Sequence, residues 1–452
     1  MNTHISEPAT LRRQVGLGGA VLLGLGSMVG AGVFVSLGLG AGLVGPMVIG
    51  AIVLAGLLAM CNGLSSAQLA AAYPVAGGTY EYAHRVGWPG LGAVAGAMFL
   101  VAKSASAATA ALGLAGYVLY RFEAPGMLVP GALAVIVMLT VVVLEGIRRT
   151  NTVNTAVVSA TLAGLAIFVF VGLGDVQSEY LKFSEWIKPH PIPAPGDSTE
   201  ARWPATPGDW HWPDFLFATA LMFVAYTGYG RIATLGEEVH HPRRTIPIAI
   251  VVTVLACVLV YTTVAAVGVG MAGAHRFARA SEGGAPLEVI ALQVGFPGWA
   301  TWAVTIAAVT AMLGVILNLI LGLSRVALAM GRRGHLPKRF AKVDATGTTP
   351  GPAVLLVAAI VAGLVCVGSI KTAWSLSAVT VLIYYGITNA AALRLPPEHR
   401  LYPRVLSWAG LIGCLGLSVF VESIYWAFAG GLIALAWGGH ALTAARRSRV
   451  VT

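Results

Sequence analysis

Apolar residues fall in twelve long stretches along this chain, at 16–43, 46–72, 90–120, 126–145, 153–174, 213–235, 246–272, 298–330, 352–370, 372–394, 404–422 and 424–442. Polar and charged residues gather between them. Each stretch approaches the ~20 residues that a helix needs to cross a hydrocarbon core, so the pattern predicts twelve transmembrane helices. Two stretches are interrupted. The first contains Gly24-Leu25-Gly26-Ser27-Met28-Val29-Gly30-Ala31-Gly32-Val33-Phe34, with four glycines near mid-span, each weakening a helix interior by roughly 1 kcal/mol. The sixth is interrupted at Thr227-Gly228-Tyr229-Gly230. Lipid cannot satisfy the N–H and C=O groups that a break sets free, so a break at that depth must be buried in protein or line a wet cavity. Paired breaks in corresponding positions of two halves point to a secondary transporter with its site between half-helices. Freed N–H groups favour an anion and freed C=O groups a cation, which suits a zwitterion.

Composition sets the class. Of 452 residues, 57% are hydrophobic and 10% charged, which defines an integral membrane protein. The first stretch is too long for a cleavable signal peptide, and further spans follow it directly. The net charge of +10 is a matter of topology. With the N-terminus in the cytoplasm, eighteen Lys and Arg residues fall on inside connections and seven on outside ones. That asymmetry places both termini of a multi-pass protein on the cytoplasmic side of the cell membrane. The basic excess does not imply a nucleic-acid partner. Cys61, Cys257, Cys366 and Cys414 lie in separate spans, and no His pair has ligand spacing within a span, so neither disulfide nor metal is expected. No nucleophile elbow, phosphate loop or paired carboxylates offer a seat for enzyme chemistry, and no cofactor is implied.

The stretches divide into one membrane domain over 16–442. It consists of a first five-helix repeat at about 16–174, a second at about 213–394 and two extra helices at about 404–442, between tails at 1–15 and 443–452. The proline-rich 175–212 connection predicts an outside strap, and 273–297 an outside loop lying over the vestibule as a lid.

Four motifs carry a resemblance. Gly30-Ala31-Gly32-Val33-Phe34 is similar to the G-[AS]-G-[IV]-F break of the amino acid–polyamine–organocation superfamily, nearest its bacterial amino acid permeases. Phe223 to Arg231, followed by Glu237-Glu238-Val239 through Pro247, resembles that family's aromatic-rich sixth segment and the loop after it. Tyr73-Pro74 to Tyr82 resembles the loop after segment 2, and Ser324-Arg325 to Pro337 the end of segment 8. His241 stands where the family has Asn, and Arg333 where it has Asp. The resemblance implies an all-α fold with a five-plus-five inverted repeat and two extra helices, working by alternating access on amino acids. It implies that a substrate carboxylate meets the N–H groups of Gly30, Ala31 and Gly32, with Ser27 nearby. The α-ammonium then meets carbonyls of Met28, Val224, Ala225 and Thr227 around Gly228, and Phe223 and Tyr226 are candidate pocket walls.

Of the cations within the spans, two are candidates for function. Lys103 sits about 20 Å along its helix, near the bilayer middle. A lysine there must pair, reach water or give up its proton. Arg231 follows the sixth-segment break and is a candidate gate. From Ala311 to Leu323 the eighth segment offers Asn318 but no Ser or Thr, which argues against a sodium site. Sodium-independent relatives often carry a lysine in segment 5, where this chain has Thr161. Lys103 is the candidate replacement, which would make transport either proton-coupled or an exchange. With no carboxylate near either break, the expected substrates are neutral and aliphatic; the alternatives are a carrier of amines or other organic cations, or a non-transport membrane receptor or channel.

Overall fold

Long Ala-, Leu-, Val- and Gly-rich runs have one inexpensive conformation in lipid, the helix, which satisfies every backbone polar group internally. A computed structural model describes residues 15–73, 77–146, 151–182, 211–233, 239–343 and 349–451. Among these the secondary structure is helical, with one isolated parallel bridge between Val15 and Val239. The helices are α1 (Leu17–Met28), α2 (Leu37–Val44), α3 (Val48–Ala72), α4 (Thr79–Arg85), α5 (Pro89–Tyr120), α6 (Leu128–Leu144), α7 (Asn151–Gly172) and α8 (Trp212–Tyr226). They continue with α9 (Gly230–Ala233), α10 (Pro242–Glu282), α11 (Pro286–Val294), α12 (Gly298–Arg332), α13 (Gly351–Cys366), α14 (Ile370–Leu393), α15 (Arg404–Val419) and α16 (Ser423–Val451).

Seven helical stretches among the described residues are long and apolar enough to cross a bilayer, and α6, α13 and α15 are shorter apolar helices. One of the seven, Leu17–Ala72, contains two of the expected spans. Gly45 at φ 58 and the 3-10 turn Gly45–Met47 separate them, and Gly40 of α2 faces Val48 of α3. Outward faces are apolar: Leu57, Val137, Leu259, Ile412 and Leu435 are all exposed, as side chains that meet lipid must be. Inward faces are small. The Ala- and Ser-rich face of α5 packs against α12 and α14, which brings backbones close enough for dispersion to hold helices together in lipid.

The 273–297 connection departs from the expected loop. The α10 helix kinks at Gly273 (φ 76, ψ 153) but continues to Glu282, and α11 follows. The physical reason is a second apolar face: Phe277, Ala278, Leu287 and Ile290 are buried, so these residues form helices by packing against the bundle. The last helix also runs past the expected boundary at 442, reaching Val451. Most of the 175–212 strap lies outside the described residues, as does 1–14 of the N-terminal tail.

Candidate functional site

The first-segment break is shorter than its glycine run. Gly24 and Gly26 remain helical, and each faces another helix closely, Gly24 against Ile232 and Thr253, Gly26 against Asn154. The helix ends at Met28, Val29 is extended (φ −79, ψ 95), and a π-helical turn at Gly32–Ser36 restarts it. Ala31 and Gly32 open this second half, so their N–H groups precede any acceptor of their own helix, while Val33 and Phe34 already donate to the Gly30 carbonyl. The sixth segment breaks differently. There α8 ends at Tyr226, tightens into a 3-10 turn at Thr227–Tyr229 and continues as α9.

The two breaks touch. A Cβ on Gly32 would stand 2.6 Å from the Ala225 Cβ and 3.0 Å from its Cα. One on Gly228 would overlap the Ser27 carbonyl and come within 2.8 Å of Met28 Cγ. Only glycine permits this approach. Between the breaks lies a small cavity of about 40 Å³, lined by Ser27, Met28, Gly30, Ala31, Gly32, Val224, Ala225, Thr227 and Gly228, together with Lys103, Ser106, Val315, Leu319 and Trp374. Phe223 and Tyr226 do not line it. Both are fully buried, Phe223 with its ring 5.8 Å from Tyr385, and Tyr226 donating to the Ile52 carbonyl at 3.1 Å.

The carbonyl end is already engaged. Thr227 Oγ1 donates to Val224 O at 2.7 Å. Tyr261 donates to Met28 O at 2.8 Å and to Ala225 O at 3.3 Å, tying the two half-helix ends together. Tyr385 donates to Thr227 O at 3.2 Å. Lys103 is buried, and its Nζ donates to Thr227 Oγ1 at 2.5 Å and Thr227 O at 3.4 Å. Val224 O also accepts from the Thr227 N–H, so Val224 O and Thr227 O each take two hydrogen bonds, while Met28 O and Ala225 O are each reached by the Tyr261 hydroxyl. Ser27, by contrast, donates back to its own helix at Leu23 O, 2.8 Å away.

A larger cavity of about 530 Å³ shares Ser27, Lys103, Thr227, Gly228, Val315 and Leu319 with the small one. It extends past Asn318, Tyr384 and Arg231 to an edge formed by Glu81, Arg332 and Arg333. Glu81 and Arg333 pair bidentately at 3.0 and 2.6 Å. The opposite end is covered: 286–291 of α11 are buried, Glu288 pairs with Arg121 at the end of α5, and Gly116 packs closely on the Gly283 carbonyl. Thr161 is buried on α7, where it donates to Val157 O at 2.7 Å.

Sequence reasoning did not find Tyr261, Tyr385, Ser106, Val315, Leu319 and Trp374. The two tyrosines carried a usable signal, since a phenol at mid-span needs a hydrogen-bond partner that lipid does not offer. The aliphatic residues carried none, because one apolar side of a span looks like another.

Two broken helices meeting across a cavity inside an apolar bundle define a membrane permease. A family model described as amino acid permease matches residues 16–437, and the chain belongs to that family, within the amino acid–polyamine–organocation superfamily. An uncharacterized transporter of Mycobacterium tuberculosis is 38% identical over 91% of this chain and 87% of its own length. The branched-chain amino acid permease of Bacillus subtilis is 26% identical over 76% of this chain and 72% of its own. A methylthioribose transporter of the same organism is 25% identical, covering 87% and 83%.

Proposed function

We propose that this protein is a sodium-independent secondary carrier of amino acids in the cell membrane, built from twelve transmembrane helices. Its first ten form a five-plus-five inverted repeat, both termini are cytoplasmic, and transport proceeds by alternating access. One observation carries the reading: the breaks in the first and sixth segments face each other across a cavity, with N–H groups of Ala31 and Gly32 on one side and carbonyls of Val224, Ala225 and Thr227 on the other. That arrangement suits a zwitterionic backbone. The substrate carboxylate meets Gly30, Ala31 and Gly32, and its ammonium meets the carbonyls of Met28, Val224, Ala225 and Thr227, sharing or displacing the donors that now hold them. The larger cavity is the inner vestibule, and Arg231 on its wall belongs to the inner gate.

Lys103 is the coupling group. It touches the sixth-segment break and lines both cavities, so a change of access changes its surroundings. If its proton is traded with each side, uptake is proton-coupled; if the charge persists, the carrier exchanges. Purified protein in liposomes is expected to take up a labelled amino acid and to release it to excess unlabelled substrate. Under proton coupling, uptake rises as outside pH falls and collapses with a protonophore; under exchange it does neither. Lys103→Met at the wild-type rate, pH profile and gradient dependence would make the lysine purely structural. No uptake across all amino acids would overturn the carrier reading. The rival, a carrier of organic cations, lacks an anionic partner for its substrate. Among the described residues the one carboxylate lining either cavity is Glu81, which is paired with Arg333.

A further inference from the structure

Lys103 places a cationic side chain inside the substrate cavity, and no carboxylate among the described residues forms an ion pair with it. Its hydrogen-bond partners are neutral, the hydroxyl and carbonyl of Thr227. The rest of the small cavity is neutral as well: Ser27 and Ser106 are hydroxyls, and Val315, Leu319 and Trp374 are apolar. Trp374 spends its indole N–H on the Leu221 carbonyl at 2.9 Å, and Ser106 shares a hydrogen bond with Ser377 at 2.9 Å. A charge buried among neutral groups is costly, and the strongest relief is an opposite charge brought to hydrogen-bond distance. A second cation would raise the cost instead.

We propose that Lys103 sets the charge class of the substrate: the carrier prefers amino acids with an acidic side chain and rejects those with a basic one. The proposal rests on the carrier reading above. Division of labour follows from the geometry. The N–H groups at the first-segment break take the α-carboxylate, and Lys103, across the same cavity, takes the side-chain carboxylate. An acidic amino acid and the lysine ammonium together bring the site close to neutrality. A basic amino acid leaves two unpaired cations in the same cavity. At separations of several ångströms and an effective dielectric near 20, opposite and like charges differ in affinity by about tenfold or more.

Competition against a labelled substrate tests this directly. With wild-type protein in liposomes, glutamate and aspartate are expected to compete at least about tenfold better than leucine, and lysine and arginine not at all. Because this arm uses the native protein, it does not depend on any variant folding. Lys103→Met and Lys103→Gln should lose the acidic preference by a similar factor and admit neutral substrates on equal terms, whereas Lys103→Arg should keep the order. Lysine or arginine competing as well as glutamate in the wild type would overturn the proposal, as would an unchanged order in folded Lys103→Met. Saturable uptake of leucine with no effect of glutamate would also sink it while leaving the carrier reading intact. Absence of uptake of every amino acid would instead remove the carrier reading itself.

Discussion

The two breaks solve one problem in opposite ways. In the first segment the chain passes through an extended residue, Val29, and restarts with a wide π turn, and among the described residues no side chain accepts from the leading N–H groups at Ala31 and Gly32. In the sixth the helix only tightens, into a 3-10 turn, and its terminal carbonyls are held by Tyr261, Tyr385 and Lys103. The donor end of the site is therefore open and the acceptor end largely furnished by the protein. A wide turn leaves the leading N–H groups of the restarted helix without an acceptor of their own. The carbonyls at the sixth-segment break are buried in the bundle, and the fold brings its own donors to them. A paired break need not be a symmetric one.

The largest expected effect tests whether the open end works as described. Gly32→Val places a branched side chain against the Ala225 backbone, at 3.0 Å from its Cα before any relaxation. Overpacking of this kind costs about 1–3 kcal/mol. Uptake should fall to background while the protein still elutes as a monodisperse species in detergent. Normal uptake by folded Gly32→Val would show that the open end is not the site. Gly228→Ala should come next, since its single methyl meets the Ser27 carbonyl and pries the breaks apart.

Removing a donor from the furnished end should cost less. Tyr385→Phe leaves Thr227 O with the lysine, and Tyr261→Phe frees both Met28 O and Ala225 O. A hydrogen bond of this kind contributes about 0.5–1.5 kcal/mol, so apparent affinity should weaken roughly three- to tenfold in each variant. Tyr261→Phe should be the worse of the two because its hydroxyl serves both breaks. Equal, negligible effects in a competition assay would mean the carbonyl end needs no furnishing, and the asymmetry would lose its energetic meaning.

The smallest effect is a control far from both breaks. Burial pushes the His84 imidazole below its ordinary value, the Tyr80 carbonyl at 2.7 Å pulls the other way, and Arg333 adds to the lowering. The unfolded chain then takes up the proton first as pH falls. The stabilisation is present above the ordinary imidazole value of about 6.5 and is lost as pH drops through the lower folded value. Thermal midpoints measured from pH 7.5 downward should decline, and His84→Gln should flatten part of that decline without altering substrate preference. A changed preference would tie this edge of the larger cavity to the site.

Both breaks are legible in the chain, because a glycine cluster at mid-span weakens the helix where lipid offers its backbone nothing in exchange. Lys103 stands out because a lysine at that depth is expensive. The first break is narrower than its glycine run suggests: Gly24 and Gly26 serve helix contacts, and a glycine kept for contact looks in sequence like one kept for unwinding. Phe223 and Tyr226 are candidate walls by their position beside the break, yet helical rotation turns both into the bundle. The connection at 273–297 is legible as polar punctuation but not as helix, since its apolar face becomes visible only against the bundle that it packs on.

By itself the sequence determined the properties that follow from local composition: a helical membrane protein, and where two of its long apolar stretches cannot stay regular. These depend on hydrophobic length, glycine and charge, which act within one stretch of chain. Only the tertiary structure decided what the breaks face. Tyr261 reaches Met28 across 233 positions, Tyr385 reaches Thr227 across 158, and Lys103 reaches the same Thr227 across 124. Hydrogen bonds and close backbone contacts are satisfied over a few ångströms in space, and helix packing alone chooses which distant residues fall within that reach.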